Sequence, residues 1–371
     1  MKTTTPVGPL EAEHEQLGAT FTDFAGWRMP LKYTSELQEH HTVRTSAGQF
    51  DLSHMGEIAV TGPQSPELLD YALAGQLSSV QVGRAKYSLL CNPDGGVIDD
   101  LVVYRLAHDR FLIVANAANT TTVFDALTER AGGFDASVVD QSGETALVAV
   151  QGPKSAGIVR SLLPPDEATL VDALKYYASM TSTLAGIEVL LARTGYTGED
   201  GFELYVNRTQ AVQLWRALLD ETRSQGGTAA GLASRDTLRL EAGMALYGHE
   251  LSLTTTPYEA GLGRVVRLDK EFVGRGALAE QSQTAPQRTL LGLVGSGRRA
   301  ARAGYAVCDL NGDREVGVVT SGALSPTLGY PIALAYISGE EVGPGTELTV
   351  DIRGRKEKFV VVPTPFYRRT T

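Results

Sequence analysis

Two stretches of this chain repeat one another at a constant offset of ninety positions: EIAVTGPQSPELLDYAL at 57–73 and ALVAVQGPKSAGIVRSLL at 146–163. Gly62 and Pro63 match Gly152 and Pro153, while Leu68, Leu69, Ala72 and Leu73 match Ile158, Val159, Leu162 and Leu163. Each copy reads as an alternating strand, a Gly-Pro turn and a helix with apolar residues at i, i+1, i+4 and i+5. Ser65 and Pro66 suit a helix start, and Gly75 suits a stop. The repeat predicts two related α+β subdomains. Chance recurrence of a common strand–turn–helix unit is the alternative.

The chain has 371 residues, enough for two or three domains at roughly 100–200 residues each. Further helices are predicted over 35–47, with Ser35 and Gln38 in capping-box positions and a stop at Gly48. Others are predicted over 209–224, with Val212, Trp215, Leu218 and Leu219 on one face, and over 234–246, with Leu238, Leu240, Met244 and Leu246. Strands are predicted at 101–106, 111–115, 187–192 and 202–206. The polar stretch 276–287 reads as a linker. Beyond it come short strands near 290–294, 316–320, 333–337, 348–352 and 358–362, separated by Gly, Pro and Asn-Gly turns, the pattern of a small β-barrel or sandwich. The domain division is therefore placed at 1–280 and 286–371.

The formal charge of −10 argues against general nucleic-acid or anionic-membrane binding. Locally basic stretches at Arg298, Arg299 and Arg302 and at 353–358 read as solvated surface. Cys91 and Cys308 are far apart and belong to no metal-spaced cluster. Residues 1–10 lack a secretory signal pattern, and no run of about 18 apolar residues occurs. A cytoplasmic protein is expected, so the sequons at Asn119 and Asn207 carry no weight. Glycine is abundant, 40 of 371, without a collagen period, which places the excess in turns, tight contacts or ligand loops. Gly295, Gly297 and Ala300 match a dinucleotide fingerprint, but no helix opens there. Asp309, Asn311 and Asp313 lack the glycine and terminal glutamate of a calcium loop; Asn311 and Gly312 read as a hairpin turn. His40 and His41 read as helix surface, because metal partners are scarce.

Three segments combine polarity with strand or helix context. In KYSLLCNPDGGVIDDLVVYRL, 86–106, Asp99 and Asp100 open a strand. Adjacent strand residues face opposite ways, so one aspartate is expected inside, desolvated and available for proton handling, and the other in solvent. A capping or turn pair is the alternative. In ARTGYTGEDGFELYV, 192–206, Gly195, Gly198 and Gly201 punctuate a loop with Tyr196 and Glu203, either a close-approach ligand loop or an acidic hairpin tip. In GLASRDTLRLEAGMALYGHEL, 231–251, Arg235 and Arg239 share a helix face, fit to bind a carboxylate or to form ion pairs with Asp236 or Glu241.

With FAGWRMPLKY (24–33), FDLSHMGEIAVTGP (50–63) and VTSGALSPTLGYPIALAYI (319–337), these segments closely resemble the aminomethyltransferase of the glycine cleavage system, the T-protein family, in its order and over nearly the whole chain. The resemblance implies a three-domain cloverleaf around a folate cavity, with two α+β domains, the first discontinuous, and a C-terminal β-barrel. It implies transfer of the one-carbon unit from aminomethyl-lipoyl H-protein to tetrahydrofolate, giving 5,10-methylenetetrahydrofolate, ammonia and dihydrolipoyl H-protein, without a metal. By motif, Asp100 is implied as the key aspartate at the pterin–aminobenzoate junction. Tyr87, Val114, Asn116, Tyr176, Tyr196 and Tyr367 are implied as folate contacts, Glu203 as the partner of the amino-pyrimidine edge, and Arg235 as the partner of the carboxylate-bearing end. Two rival readings are a tetrahydrofolate-dependent demethylase of the same fold and a folate-binding assembly factor for iron–sulfur proteins. The latter carries a cysteine absent from the matching stretch 269–274. The basic stretch 353–358 is a candidate docking surface for H-protein.

Overall fold

The repeated sequence folds as a repeated structure. In the computed structural model, which describes residues 7–339 and 342–369, the first copy is strand Gly56–Thr61 and helix Ser65–Ala72, and the second is strand Thr145–Gln151 and helix Ser155–Leu162. The glycine between them has positive φ in both, +123° at Gly62 and +134° at Gly152. Gly152 is also sterically pinned: a Cβ would stand 2.5 Å from the Ser46 carbonyl and 2.6 Å from that of Val43. Each repeated strand joins a three-strand antiparallel meander. One sheet runs Arg84–Cys91, Val97–Ala107, Arg110–Ala115, Gly56–Thr61, Ser137–Asp140. The other runs Ser179–Leu184, Ile187–Ala192, Gly201–Asn207, Thr145–Gln151, Gly48–Asp51, Thr228–Ala229. Gly48–Asp51 comes from the N-terminal segment, so the unit built on the second copy is discontinuous in sequence.

Helices cover the outer face of each sheet. Trp215 and Leu218 of helix Ala211–Ser224 pack with Val148 and Phe202 on one; Leu68, Leu69, Val123 and Leu127 pack with Leu101 and Val103 on the other. The inner faces meet through Phe50, Tyr104, Leu112, Val114, Leu147, Ala149 and Tyr205. Four layers result, helix–sheet–sheet–helix, and interior strands are covered on both sides. The C-terminal strands close into a six-stranded barrel in the order Arg288–Gly295, Pro331–Ser338, Glu315–Leu324, Ala306–Cys308, Glu347–Asp351, Lys356–Val362. Leu334, Ile332 and Ala323 of the barrel pack on Leu240 of helix Leu232–Glu241. The turn at Gly312, φ +80°, links two of its strands as expected.

Four expectations change. The polar stretch after Gly274 is not wholly linker: Arg275–Gln281 is a helix whose fully buried Leu278 anchors it beside Cys91 and Val97. One apolar residue among polar ones gave no visible period. The helix expected to end at Leu246 stops at Glu241, where Gly243 at φ +66° lets the Met244 amide bond back to the Arg239 carbonyl. Met244 and Leu246 owe their apolar character to a cavity instead. Helix Glu36–Thr45 has Ser35 as N-cap, its side chain accepting from the Gln38 amide, but it ends short of Gly48, which starts a strand. His40 is buried, its ring against Thr237, Glu241 and Thr327. Long-range packing of this helix against Leu232–Glu241 puts inside what the local pattern left on the surface.

Gly152→Ala is expected to cost about 2–5 kcal/mol, combining positive-φ strain with overpacking. Gly133→Ala, also at positive φ but with no atom within 4 Å of the added Cβ, carries the strain alone, about 1–3 kcal/mol; urea unfolding of both variants compares them. Burial alone would raise the Glu241 carboxyl, but His40, Ser325 and Arg44 hold it at about 2. Its contribution is therefore full above the unfolded carboxylate range and is lost as pH falls through that range toward 2. Glu241→Gln should lower stability at neutral pH by about 3 kcal/mol or more and flatten the loss of unfolding midpoint between about pH 5 and pH 2.

Candidate active site

Between the two sheets, the helix Leu232–Glu241 and the barrel lies a cavity of about 760 Å³, within the roughly 300–1,000 Å³ of small-molecule sites. Phe24 and Ala25, at the tip of the hairpin Thr20–Phe24/Trp27–Lys32, reach it because Ala25 and Gly26 both take positive φ, the tight two-residue turn that right-twisted strands favour. The first sheet contributes Tyr87, Asp100, Val102, Val114 and Asn116. The second contributes Leu147, Thr194, Tyr196, Glu203 and Tyr205, and Arg235, Met244, Leu262 and Leu334 close the remaining sides.

Asp100 and Val102 face this cavity from strand Val97–Ala107, while Asp99, Leu101 and Val103 face the helix layer. The expectation that one aspartate would lie in solvent is overturned: Asp99 is 0% exposed. The reason is the second covering layer, since helices close the face that an uncovered sheet would wet. Asp100 Oδ2 accepts from the Tyr87 hydroxyl at 3.0 Å and Oδ1 from Asn116 Nδ2 at 2.9 Å. Burial raises the Asp100 carboxyl above its ordinary value, and these two hydrogen bonds oppose the rise. No cation forms an ion pair with it among the described residues.

Glu203 accepts from the Thr194 hydroxyl and, at 3.4 Å, from the Tyr104 hydroxyl, both on Oε2. Oε1 receives no protein hydrogen bond among the described residues. Arg235 lies over the Tyr196 ring, 4.9 Å from its centroid, and its guanidinium has no hydrogen-bond or ion-pair partner among the described residues. Burial lowers its pKa, and the charges of Glu203 and Tyr196 counter this. Arg239 behaves oppositely: it is buried in ion pairs with Asp236 and Glu250. The two arginines thus divide the alternatives read from the sequence. Gly195 and Gly201 make room for Gln151, whose buried amide nitrogen donates to the Thr194 carbonyl at 3.0 Å; a Cβ at either glycine would lie within about 2 Å of it. Their smallness serves loop packing, and the loop then presents Tyr196.

The structure brings together Tyr87, Asp100, Val114, Asn116, Tyr196, Glu203 and Arg235. Two expected residues lie outside the lining. Tyr176 is 45% exposed, and its neighbour Tyr177 lines the cavity; Tyr177 takes φ +58°, which turns the pair the other way, a reversal the sequence does not signal. Tyr367 stacks on Arg44, 4.0 Å from the guanidinium carbon. His54 went unnoticed: it lines the cavity, its buried Nδ1 has no partner, and burial lowers its pKa to about 4. The segment FDLSHMG, which ends a strand with polar residues, was the available signal.

A cavity of about 760 Å³ between two sheets and a barrel, lined by one carboxylate without a cation, one open carboxylate oxygen and one arginine unpaired among the described residues, defines a small-molecule site in a three-part α+β protein. Residues 10–270 match the family described as GCVT N-terminal domain, and residues 288–368 match the glycine cleavage T-protein C-terminal barrel domain. The aminomethyltransferase of Streptomyces avermitilis is 57% identical over 97% of both chains, and that of Moorella thermoacetica is 46% identical over 97% of both. The crystal structure of the glycine cleavage system aminomethyltransferase T from Bartonella henselae superposes with a TM-score of 0.91 at 38% identity, covering 98% of each chain. The chain belongs to the glycine cleavage T-protein family.

Tyr87→Phe removes a hydrogen bond that favours ionised Asp100, so the Asp100 carboxyl is expected to titrate at higher pH. Carbon-13 NMR titration of labelled aspartate, with Asp100→Asn to assign the resonance, checks this.

Proposed function

We propose that this chain is the aminomethyltransferase of a glycine cleavage system. It takes the aminomethyl group carried on the lipoyl arm of H-protein and passes its one-carbon unit to tetrahydrofolate. The products are 5,10-methylenetetrahydrofolate, ammonia and dihydrolipoyl H-protein. The observation that carries the reading is Asp100, a carboxylate held on both oxygens by neutral donors and facing the cavity without a cation among the described residues.

An unpaired carboxylate in a partly dry site is costly unless positive charge arrives. As the methylene carbon breaks its bonds to the departing amine and to the lipoyl sulfur and bonds the two folate nitrogens, it develops iminium-like positive charge, which Asp100 is placed to stabilise while it orients the accepting amine. Glu203 offers its free Oε1 to paired N–H donors of the pterin amino-pyrimidine edge. Tyr87, Tyr177 and Tyr196 wall the ring, and Val114 and Asn116 bound it on the first sheet. Arg235 supplies the cation for a folate carboxylate. Holding two carriers in one cavity is the main catalytic contribution. Tyr176 and Tyr367 act at most from outside the lining.

Purified protein given tetrahydrofolate and aminomethylated lipoyl H-protein should release ammonia, and Asp100→Asn should slow this by about 10²–10⁴-fold. Turnover of a sulfonium or aryl-ether methyl donor, with no ammonia from aminomethyl H-protein, would overturn the reading. Tyr177→Ala should weaken tetrahydrofolate binding by about ten-fold or more, consistent with loss of an aromatic wall, while Tyr176→Ala leaves it within about two-fold; equilibrium titration decides.

A further inference from the structure

The Asp99 carboxyl is 0% exposed, and nothing in the proposed chemistry uses it. Three amide groups hold it. The Asn116 backbone N–H donates to Oδ2 at 2.9 Å, and Asn116 Nδ2 and Asn119 Nδ2 donate to Oδ1 at 2.9 and 2.7 Å. The same Asn116 Nδ2 lies 2.9 Å from Asp100 Oδ1. An amide nitrogen carries two hydrogens, so one Asn116 side chain can donate to both carboxyls at once. Two consecutive strand residues that point to opposite faces of the sheet are thereby joined by a single NH₂ group beyond the end of strand Arg110–Ala115. The other titratable groups that face the pair are the phenols Tyr87, Tyr177, Tyr196 and Tyr247. Among the described residues, no Lys, Arg or His forms a hydrogen bond or ion pair with either carboxyl.

A buried carboxyl is an expensive way to satisfy amide donors, because burial penalises its charge. Its placement on the far side of the residue that holds Asp100 gives it a use. We propose that Asp99 is a positioning residue for Asp100: through Asn116 it fixes the Asp100 carboxylate and couples the ionisation of the two groups. This rests on Asp100 being the carboxylate that serves the one-carbon transfer.

Burial and then the charge of Asp100 push the Asp99 carboxyl up to about 7, while the hydrogen bonds from Asn119 and Asn116 pull it down. As pH rises through neutrality the Asp99 carboxyl is expected to lose its proton, adding a negative charge beside Asp100 that no cation among the described residues pairs with. The field on a positively charged one-carbon unit strengthens, so the rate steps up over the same interval.

The pH profile of kcat/KM for ammonia release tests this in the full-length protein, with unfolding midpoint and tetrahydrofolate binding measured alongside. The wild-type profile should show a step near pH 7 that Asp99→Asn removes. Asn119→Ala keeps the carboxyl but deletes a hydrogen bond that favours its charged form, so the step should move upward by about half to one pH unit. A step that stays in place in both variants overturns the inference. If Asp99→Asn does not fold, Asn119→Ala decides alone: an upward shift supports coupling, and an unmoved step overturns it. Asp100→Asn separates the layers. Wild-type rate in that variant overturns the reading of Asp100 itself, whereas a lost rate there with unmoved steps elsewhere overturns the role of Asp99 alone.

Discussion

The buried carboxylate of Glu241 ties together parts of the chain that have no sequence proximity. Arg44, from helix Glu36–Thr45, donates to it at 2.7 Å; the Thr327 backbone amide and the Ser325 hydroxyl of the barrel donate to its other oxygen; His40 lies at 3.1 Å. Arg44 reaches on to Glu199 at 2.8 Å and to the Thr197 carbonyl at 2.7 Å, in the loop that carries Tyr196. Charges this deep are tolerated because each has a partner and further donors fill the remaining lone pairs. One ionic cluster therefore fixes helix Glu36–Thr45, helix Leu232–Glu241, the Tyr196 loop and the barrel in a single arrangement. The cavity exists where those parts meet.

A second buried pair repeats the device nearby. Arg239 bonds Glu250 at 3.0 Å and the Ser321 hydroxyl of the barrel at 2.7 Å, and Ser321 in turn donates to Glu250 at 2.6 Å. This holds the chain after Gly243, whose residues 243–249 line the cavity, against the barrel. With Arg239 occupied structurally, Arg235 one turn earlier is the arginine that lines the cavity without an ion-pair partner among the described residues, as its proposed role toward a folate carboxylate requires. The ion pairing of Glu241, Arg44, Arg239 and Glu250 makes the unpaired groups of the lining informative: Asp100 and Arg235 have no ion-pair partner among the described residues.

Local context marked the segments that form the site but left Asp99 against Asp100 and Arg235 against Arg239 open; the resemblance to the T-protein family singled out Asp100 and Arg235. Asp100, Glu203 and Arg235 lie in segments where a charged residue interrupts an apolar strand or opens a helix, and such interruptions need a reason. The β-rich tail read correctly as a small all-β domain because its turns and short alternating strands are local signals; barrel against sandwich was decided by strand pairing between distant segments. Other features were not legible. Asp99 looked solvent-bound because alternation says which face a residue takes but not what covers that face. The positive φ of Tyr177, with Tyr177 rather than Tyr176 in the cavity lining, has no signal in the sequence. His40 was hidden because its burial partners lie about two hundred residues away. The cavity-lining character of Met244 and Leu246 imitated a continuing helical stripe.

The sequence by itself determined the duplicated strand–turn–helix unit, the β-only C-terminal part and the candidate polar residues, since each depends on periodicity, turn chemistry or an out-of-place charge within some twenty residues. Tertiary structure alone decided which of those residues share a cavity, which arginine lacks an ion-pair partner among the described residues, and that Asp99 is buried while Asp100 opens on the cavity. Those outcomes depend on desolvation and ion pairing between segments far apart in the chain, and such energies appear only when the layers close on one another.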